Sequence, residues 1–159
     1  MKFLLVLFCF LSFLLTYAQQ TDTNQRYSTF TIDAPQLNTK KKIWVYLPKD
    51  YENSTKKYPV IYMHDGQNLF DAKTSYVGEW NIDETLDSIN AKVIVIGIEH
   101  GGNKRIEELT PFPHAKHGGG KADEYLDFLV NTLKPNIDKT YRTKTSAKNT
   151  AIFGSSLGG

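Results

Sequence analysis

The chain has 159 residues, with 19 Lys and Arg against 17 Asp and Glu and a formal net charge of +2. A balance so near neutrality gives no footprint for nucleic acid, and 40% hydrophobic with 13% aromatic residues excludes a disordered chain. The length suits one domain, on a prior of ~100–200 residues per domain, and is enough to bury a core.

The first eighteen residues stand apart from that core. Lys2 precedes an apolar run from Phe3 to Leu15 broken only by Ser12, and Thr16-Tyr17-Ala18 closes it before the polar Gln19-Gln20-Thr21-Asp22. This is the layout of a secretory signal peptide over residues 1–18, cleaved after Ala18. The run falls short of the ~20 residues that span a bilayer, so no stable membrane anchor is expected after cleavage, and the destination is periplasmic or secreted. Cys9, the single cysteine, lies within the leader, and Phe8 stands where a lipoprotein signal needs a small residue. The mature chain from Gln19 therefore has no thiol for nucleophilic or metal chemistry and no disulfide.

After a polar lead to Gln25, Tyr27 to Asp33 alternates as a strand does, and Lys42 to Leu47 is a second strand ending at Pro48. Ala34 to Thr39 between them is turn chemistry, so the two are expected to pair antiparallel. Pro59 to His64 and Lys92 to Ile98 are nearly continuous apolar runs, the mark of strands buried on both faces. A helix is expected from Trp80 to Ile89, with Ile82, Leu86 and Ile89 on one face and Asn81 or Asp83 as N-cap. A long Gly- and Pro-rich loop from Glu99 to Gly120 follows, read as a mobile border to a cleft. From Ala122, positions Leu126, Leu129, Val130, Leu133 and Ile137 recur at helical spacing, and Pro135 is expected to kink or end that helix. A fifth strand, Thr150 to Phe153, completes the series. Lys40-Lys41-Lys42 and Lys56-Lys57 read as solvated strand ends or turns; Arg105, Glu107 and Glu108, in the long loop, could contact substrate, with solvated charge the default reading.

That fifth strand runs into Gly154-Ser155-Ser156-Leu157-Gly158, a G-x-S-x-G sequence. Between a strand and a helix such a sequence forms a nucleophile elbow, a sharp turn that lifts the middle serine out of the sheet. Ser156 is that serine. His64-Asp65-Gly66-Gln67-Asn68 stands directly after the third strand, where a hydrolase sheet supplies one of two backbone N–H donors to a tetrahedral oxyanion. The N–H of Gln67 is the first candidate and that of Gly66 the second, with Leu157, the residue after the nucleophile, as the other donor. Gly66 and Asp65 of this loop are read as substrate-binding residues, Gly66 by allowing close approach of the backbone. Two antiparallel strands, then strand, helix, strand, helix, strand, make the front of an α/β sheet, with Ser156 just after the fifth strand.

Tyr58-Pro59-Val60-Ile61-Tyr62-Met63-His64-Asp65-Gly66-Gln67-Asn68-Leu69-Phe70-Asp71, with Gly78-Glu79-Trp80 and the elbow, resembles the Putative esterase (esterase D-like) family of α/β-hydrolases. That family includes siderophore, feruloyl and acetyl-xylan esterases and the mycolyltransferases. The resemblance runs from about Lys42 to Gly159 and implies the N-terminal portion, residues 19–159, of one α/β-hydrolase domain, cut after the elbow. It implies oxyanion donors at Gln67 and Leu157, and it makes Trp80 a possible substrate platform, although helix packing is the commoner work of a lone Trp. In this fold the acid and the histidine of the triad follow the nucleophile, so His64, His100, His114 and His117 are assigned no catalytic role and this stretch alone is expected to be inactive.

No cofactor or metal is expected. His114 and His117 lack a third ligand nearby, and Gly118-Gly119-Gly120-Lys121 is followed by Ala122 where a phosphate loop needs Ser or Thr. The function expected is that of an exported serine esterase acting on an acylated carbohydrate or a siderophore-type ester. A mycolyltransferase-like acyltransferase and a non-catalytic binding module of the same fold are the alternatives; the oligomeric state is left open. N-terminal sequencing of exported protein should begin at or near Gln19, and material retaining Met1 would overturn the leader assignment.

Overall fold

The computed structural model describes residues 26–159. The leader expected over Met1 to Ala18 and the polar lead to Gln25 lie outside the described residues. Strands β1 (Tyr27–Ala34), β2 (Thr39–Tyr46), β3 (Val60–His64), β4 (Ile94–Ile98) and β5 (Thr150–Phe153) form one mixed sheet in the order β1-β2-β4-β3-β5. β1 and β2 pair antiparallel across a turn closed by Asn38 in the left-handed region, β2 pairs antiparallel with β4, and β3 lies parallel to both β4 and β5. Among the described residues no helix is long and apolar enough to cross a membrane.

The period of two along each strand divides the apolar residues between two cores. Ile43, Val45, Val60, Tyr62, Ile94, Ile96 and Ile98 face one side, where they meet Tyr125, Phe128, Leu129, Leu133 and Ile137. Trp44, Tyr46, Met63 and Val95 face the other, with Leu69, Phe70 and the half-buried Trp80, Ile82 and Leu86. Every residue of β4 is buried, which is why its sequence shows no alternation. Each such Ile or Val contributes about 1.5–3 kcal/mol through burial.

Helix α1 (Ile82–Ser88) starts after Asn81, which holds the N-cap position in the left-handed region without a side-chain capping bond. Ile82 and Leu86 pack as their spacing predicts, but Ile89 lies past the last turn and is exposed. The segment from Glu99 to Gly120 is more ordered than a plain loop. It contains helix α2 (Arg105–Leu109) and a tight turn closed by the N–H of His114 on the carbonyl of Gly118 at 2.8 Å.

Pro135 does not end its helix. Helix α3 (Ala122–Asp127) passes through a π-helical stretch, Phe128–Leu133, into α4 (Lys134–Thr140), and Pro135 sits in the first turn of α4. A proline there needs no N–H donor, and the widened π turn before it absorbs the register change. The wider turn also rotates the buried stripe. Tyr125 and Phe128 join Leu129, Leu133 and Ile137 in the core, while Leu126 and Val130 are left exposed.

The lysine run is not wholly solvated either. Lys40 is exposed, but Lys41 points inward and is only 3% exposed, with Nζ 2.5 Å from Oε2 of Glu108, itself buried. Oε2 of Glu108 also accepts the N–H of Gly101 at 3.0 Å. This ion pair fastens α2 to β2. Removing one partner strands the other charge without a counter-ion, whereas replacing both does not. Lys41→Met in the full-length protein should therefore cost about 3–5 kcal/mol in urea unfolding, and Lys41→Met combined with Glu108→Leu should be close to neutral. A single variant as stable as the parent would contradict this account.

Candidate active site

Parallel pairing of β3 with β5, Met63 opposite Phe153, brings the carboxyl ends of the two strands side by side. Open α/β sheets place their ligand crevices beyond such ends. Each strand leaves the sheet through a non-glycine residue near the left-handed region: Asp65 at φ 57° and Ser156 at φ 56°. A left-handed residue other than glycine costs about 1–2 kcal/mol, and while Asn38, Asn81 and Asn90 adopt that region singly elsewhere, Asp65 and Ser156 place two such residues at neighbouring strand ends.

Ser156 opens a short 3-10 turn, Ser156–Gly158, and is exposed. In that turn the hydrogen bonds begin with Gly158 N–H on Ser155 and Gly159 N–H on Ser156. In the Gly66–Asn68 turn after β3 they begin with Asn68 N–H on Asp65 and Leu69 N–H on Gly66. The N–H groups of Leu157 and Gln67 thus fall in first turns, ahead of the internal bonds.

The glycines are fixed by packing. A Cβ on Gly154 would collide with the backbone of Gly158, and one on Gly66 would lie 2.7 Å from the carbonyl carbon of Gly97 and 2.8 Å from Cδ1 of Trp44. Gly66 therefore faces the sheet, where it seats the loop on β4. Beneath the elbow lies His64, 8% exposed, whose Cδ2 would be 3.0 Å from a Cβ on Gly154. Its Nδ1 is hydrogen-bonded to the hydroxyl of Tyr125 at 2.8 Å. Burial, reinforced by the Arg105 cation and opposed by the Asp65 carboxylate, pulls the His64 pKa below its ordinary value.

Asp65, Gln67, Asn68, Trp80, Arg105 and Ser156 line one cavity of about 500 Å³, with His100, Asn103 and Ser155 also in its wall. Asp65, Gln67, Trp80 and Ser156, separated in the sequence, meet there; Gly66 and Leu157 do not line it. Arg105 grips Asp65 in bidentate fashion, Nε to Oδ1 at 2.7 Å and Nη2 to Oδ2 at 2.8 Å. This is the arrangement that makes Arg the strongest partner of a carboxylate. Arg105 and Glu108 are thus structural members of α2, where the sequence pattern suggested solvated charges. Asn68 ties the loop to the rim: its Oδ1 accepts Ser75 Oγ at 3.2 Å and Tyr76 N–H at 3.1 Å, and its carbonyl accepts Trp80 N–H at 2.8 Å. Tyr76 and Val77 complete the wall as exposed apolar side chains. Trp80 both lines the cavity and packs beside Leu69 and Phe70.

A mixed sheet with crossover helices, a strand–turn–serine elbow and a facing loop after β3 define an α/β-hydrolase framework. Residues 34–159 match the family described as Putative esterase, and the chain belongs to it. It is 30% identical over 124 residues to an endo-1,4-beta-xylanase/feruloyl esterase of Xylanibacter ruminicola, covering 72% of this chain and 16% of that protein. It is 28% identical over 123 residues to a siderophore triacetylfusarinine C esterase of Aspergillus fumigatus, covering 73% of this chain and 41% of that one. Among solved structures, an IroE-like serine hydrolase from Shewanella oneidensis superposes with a TM-score of 0.66 at 25% identity, covering 83% of this chain and 43% of that one. The chain spans less than half the length of each of these relatives.

The depressed pKa of His64 fixes the sign of a pH dependence. The unfolded chain titrates this group near 6.5 and the folded chain lower, so between the two values the unfolded state binds more protons. The contribution of His64 is complete above about pH 6.5 and declines as pH falls toward the depressed value. Urea midpoints of the full-length protein should fall between about pH 7.5 and about pH 5, and less steeply in His64→Gln. Equal slopes in the two proteins would remove His64 as the source.

Proposed function

We propose that the full-length protein is an exported carboxylic-ester hydrolase that works through an acyl-enzyme on Ser156. The observation that carries this reading is Ser156 itself, held at φ 56° at the end of β5 and lining the same cavity as Gln67. Membership of an esterase family supports it, as do relatives named as feruloyl and siderophore esterases.

In this mechanism Oγ of Ser156 attacks the ester carbonyl as its proton passes to a general base. The carbonyl oxygen becomes an oxyanion that accepts hydrogen bonds from the N–H groups of Gln67 and Leu157. The bond to the leaving oxygen then breaks, the alcohol departs with the proton from the base, and water repeats the sequence to release the acid. The base and its acid partner come from sequence that follows the elbow in the full-length protein. His64 is unsuited to the task, because its Nδ1 is engaged by Tyr125 beneath the turn.

The cavity favours a polar ester with a bulky group. Asn68, Asn103 and the Arg105–Asp65 pair offer hydrogen-bonding groups, and Tyr76, Val77 and Trp80 offer an apolar rim. An acylated carbohydrate or a siderophore-type ester has both characters. The signal-peptide pattern of Met1 to Ala18 supports a substrate met outside the cytoplasm.

The two serines of the elbow separate this mechanism from a loss of folding. Ser156→Ala in the full-length enzyme should abolish turnover of an activated acyl ester, because the covalent route is gone. Ser155→Ala should cost much less. Near-parental turnover in Ser156→Ala, alongside an inactive Ser155→Ala, would overturn the assignment.

A further inference from the structure

Glu79, Asp83 and Glu84 stand together at the start of α1, each offering a carboxylate oxygen, and these oxygens lie within 4.8 Å of one another. Such a cluster on a protein surface is often no more than solvated acid. Asp83 is not solvated: it is 6% exposed, and its Oδ1 is buried with no hydrogen-bond partner among the described residues. An unsatisfied buried carboxylate oxygen is costly unless something binds it. None of the three acids belongs to an ion pair among the described residues. Asp71, a few residues away, shows the contrast. Its Oδ2 accepts the hydroxyl of Tyr27 at 3.0 Å and its Oδ1 the N–H of Lys73 at 2.8 Å.

We propose that Glu79, Asp83 and Glu84 form a binding site for a hard divalent cation of the calcium type. The donors are all oxygen, which disfavours zinc and copper relative to calcium or magnesium. Two oxygens that share a calcium ion at about 2.3–2.6 Å lie at most about 4.6–5.2 Å apart, which accommodates the spacing observed. Magnesium demands a tighter, near-octahedral shell and keeps more of its waters, so calcium is the better fit. Three carboxylates within 4.8 Å of one another crowd like charge, and a bound cation relieves that crowding.

The site has a structural reach beyond its three ligands. Glu79 precedes Trp80, whose N–H donates to the carbonyl of Asn68 at 2.8 Å, and Ile82 N–H donates to the carbonyl of Leu69 at 3.1 Å. A cation that joins Glu79 to α1 therefore stiffens the segment that carries Trp80 into the cavity wall. The proposal does not depend on the esterase reading, because its primary readout is binding.

The test uses full-length protein freed of metal with a chelator. Terbium ions should give luminescence sensitised by Trp80, calcium should compete for the same site, and calorimetry should show one calcium with a dissociation constant of about 10⁻⁴–10⁻³ M, the range of extracellular modules. Asp83→Asn and, separately, Glu79→Gln should each weaken calcium at least about tenfold, as expected when ligand charge is lost. Both variants should keep the chelator-treated melting temperature at or above that of the parent, since each removes repulsion. Absence of calcium or terbium binding up to about 10 mM would overturn the proposal. Binding undiminished in both variants would overturn it equally.

Discussion

The parallel register between β3 and β5 is the constraint from which the site follows. Because Val60 pairs with Thr150 and Met63 with Phe153, the two strands end level, and whatever leaves one leaves beside the other. His64 then lies under Gly154 and Gly158, so the loop after β3 forms the floor on which the elbow turns. A one-residue slip would exchange the two faces of β5 and move Ser156 away from Gln67. Gln67 and Ser156, far apart in the chain, are brought together by backbone hydrogen bonds between strands, not by side-chain attraction.

Charge holds the next layer in place, and it is buried charge. Lys41 on β2 anchors Glu108, Glu108 also receives Gly101, and Arg105 on the same short helix grips Asp65. Helix α2 has only five residues, too short to be stable by its own hydrogen bonds. It is fixed at both ends by ion pairs to elements that the sheet already positions. Surface ion pairs contribute little, but these have at least one partner withdrawn from water, where geometry is held more firmly. The wall of the cavity is thus attached to the sheet by electrostatics, while the sheet itself is built by burial.

The sheet and its order of elements were legible in the sequence because β-branched runs such as Ile94 to Ile98 and the G-x-S-x-G sequence are local signals. What escaped was non-local or depended on register. The burial of Lys41 required its partner Glu108, 67 residues later in the chain. The period of two within Lys40-Lys41-Lys42 was the available hint, since it makes the middle lysine share a side with the inward Ile43 and Val45 of β2. Of the two outcomes Pro135 allowed, a kink or an end, the end is excluded, because the π-helical stretch at Phe128–Leu133 supplies a register other than the α register in which proline breaks a helix. Gly66 was placed in the right loop, yet the need for glycine comes from Gly97 and Trp44 behind it. Tyr76 and Val77 carried no signal beyond being apolar residues in a turn-rich segment.

β5 shows how far the design of a strand can be read from its neighbours. Edge strands in soluble proteins carry lysine, proline or a bulge, or are very short, so that they do not recruit another chain. β5 has none of the first three: it reads Thr-Ala-Ile-Phe, and Ile152 and Phe153 are both more than half exposed. Apolar side chains border it on both sides, Leu126, Leu129 and Val130 on one face and Ile61, Met63, Ile82 and Leu86 on the other. Its composition is that of β3 and β4, which are covered on both faces, and not that of β1, which alternates between half-buried and exposed residues. A strand with that composition is suited to an interior position in a sheet. The strain held at Ser156 depends on it, because a left-handed residue persists only where the elements on either side are over-determined by their packing.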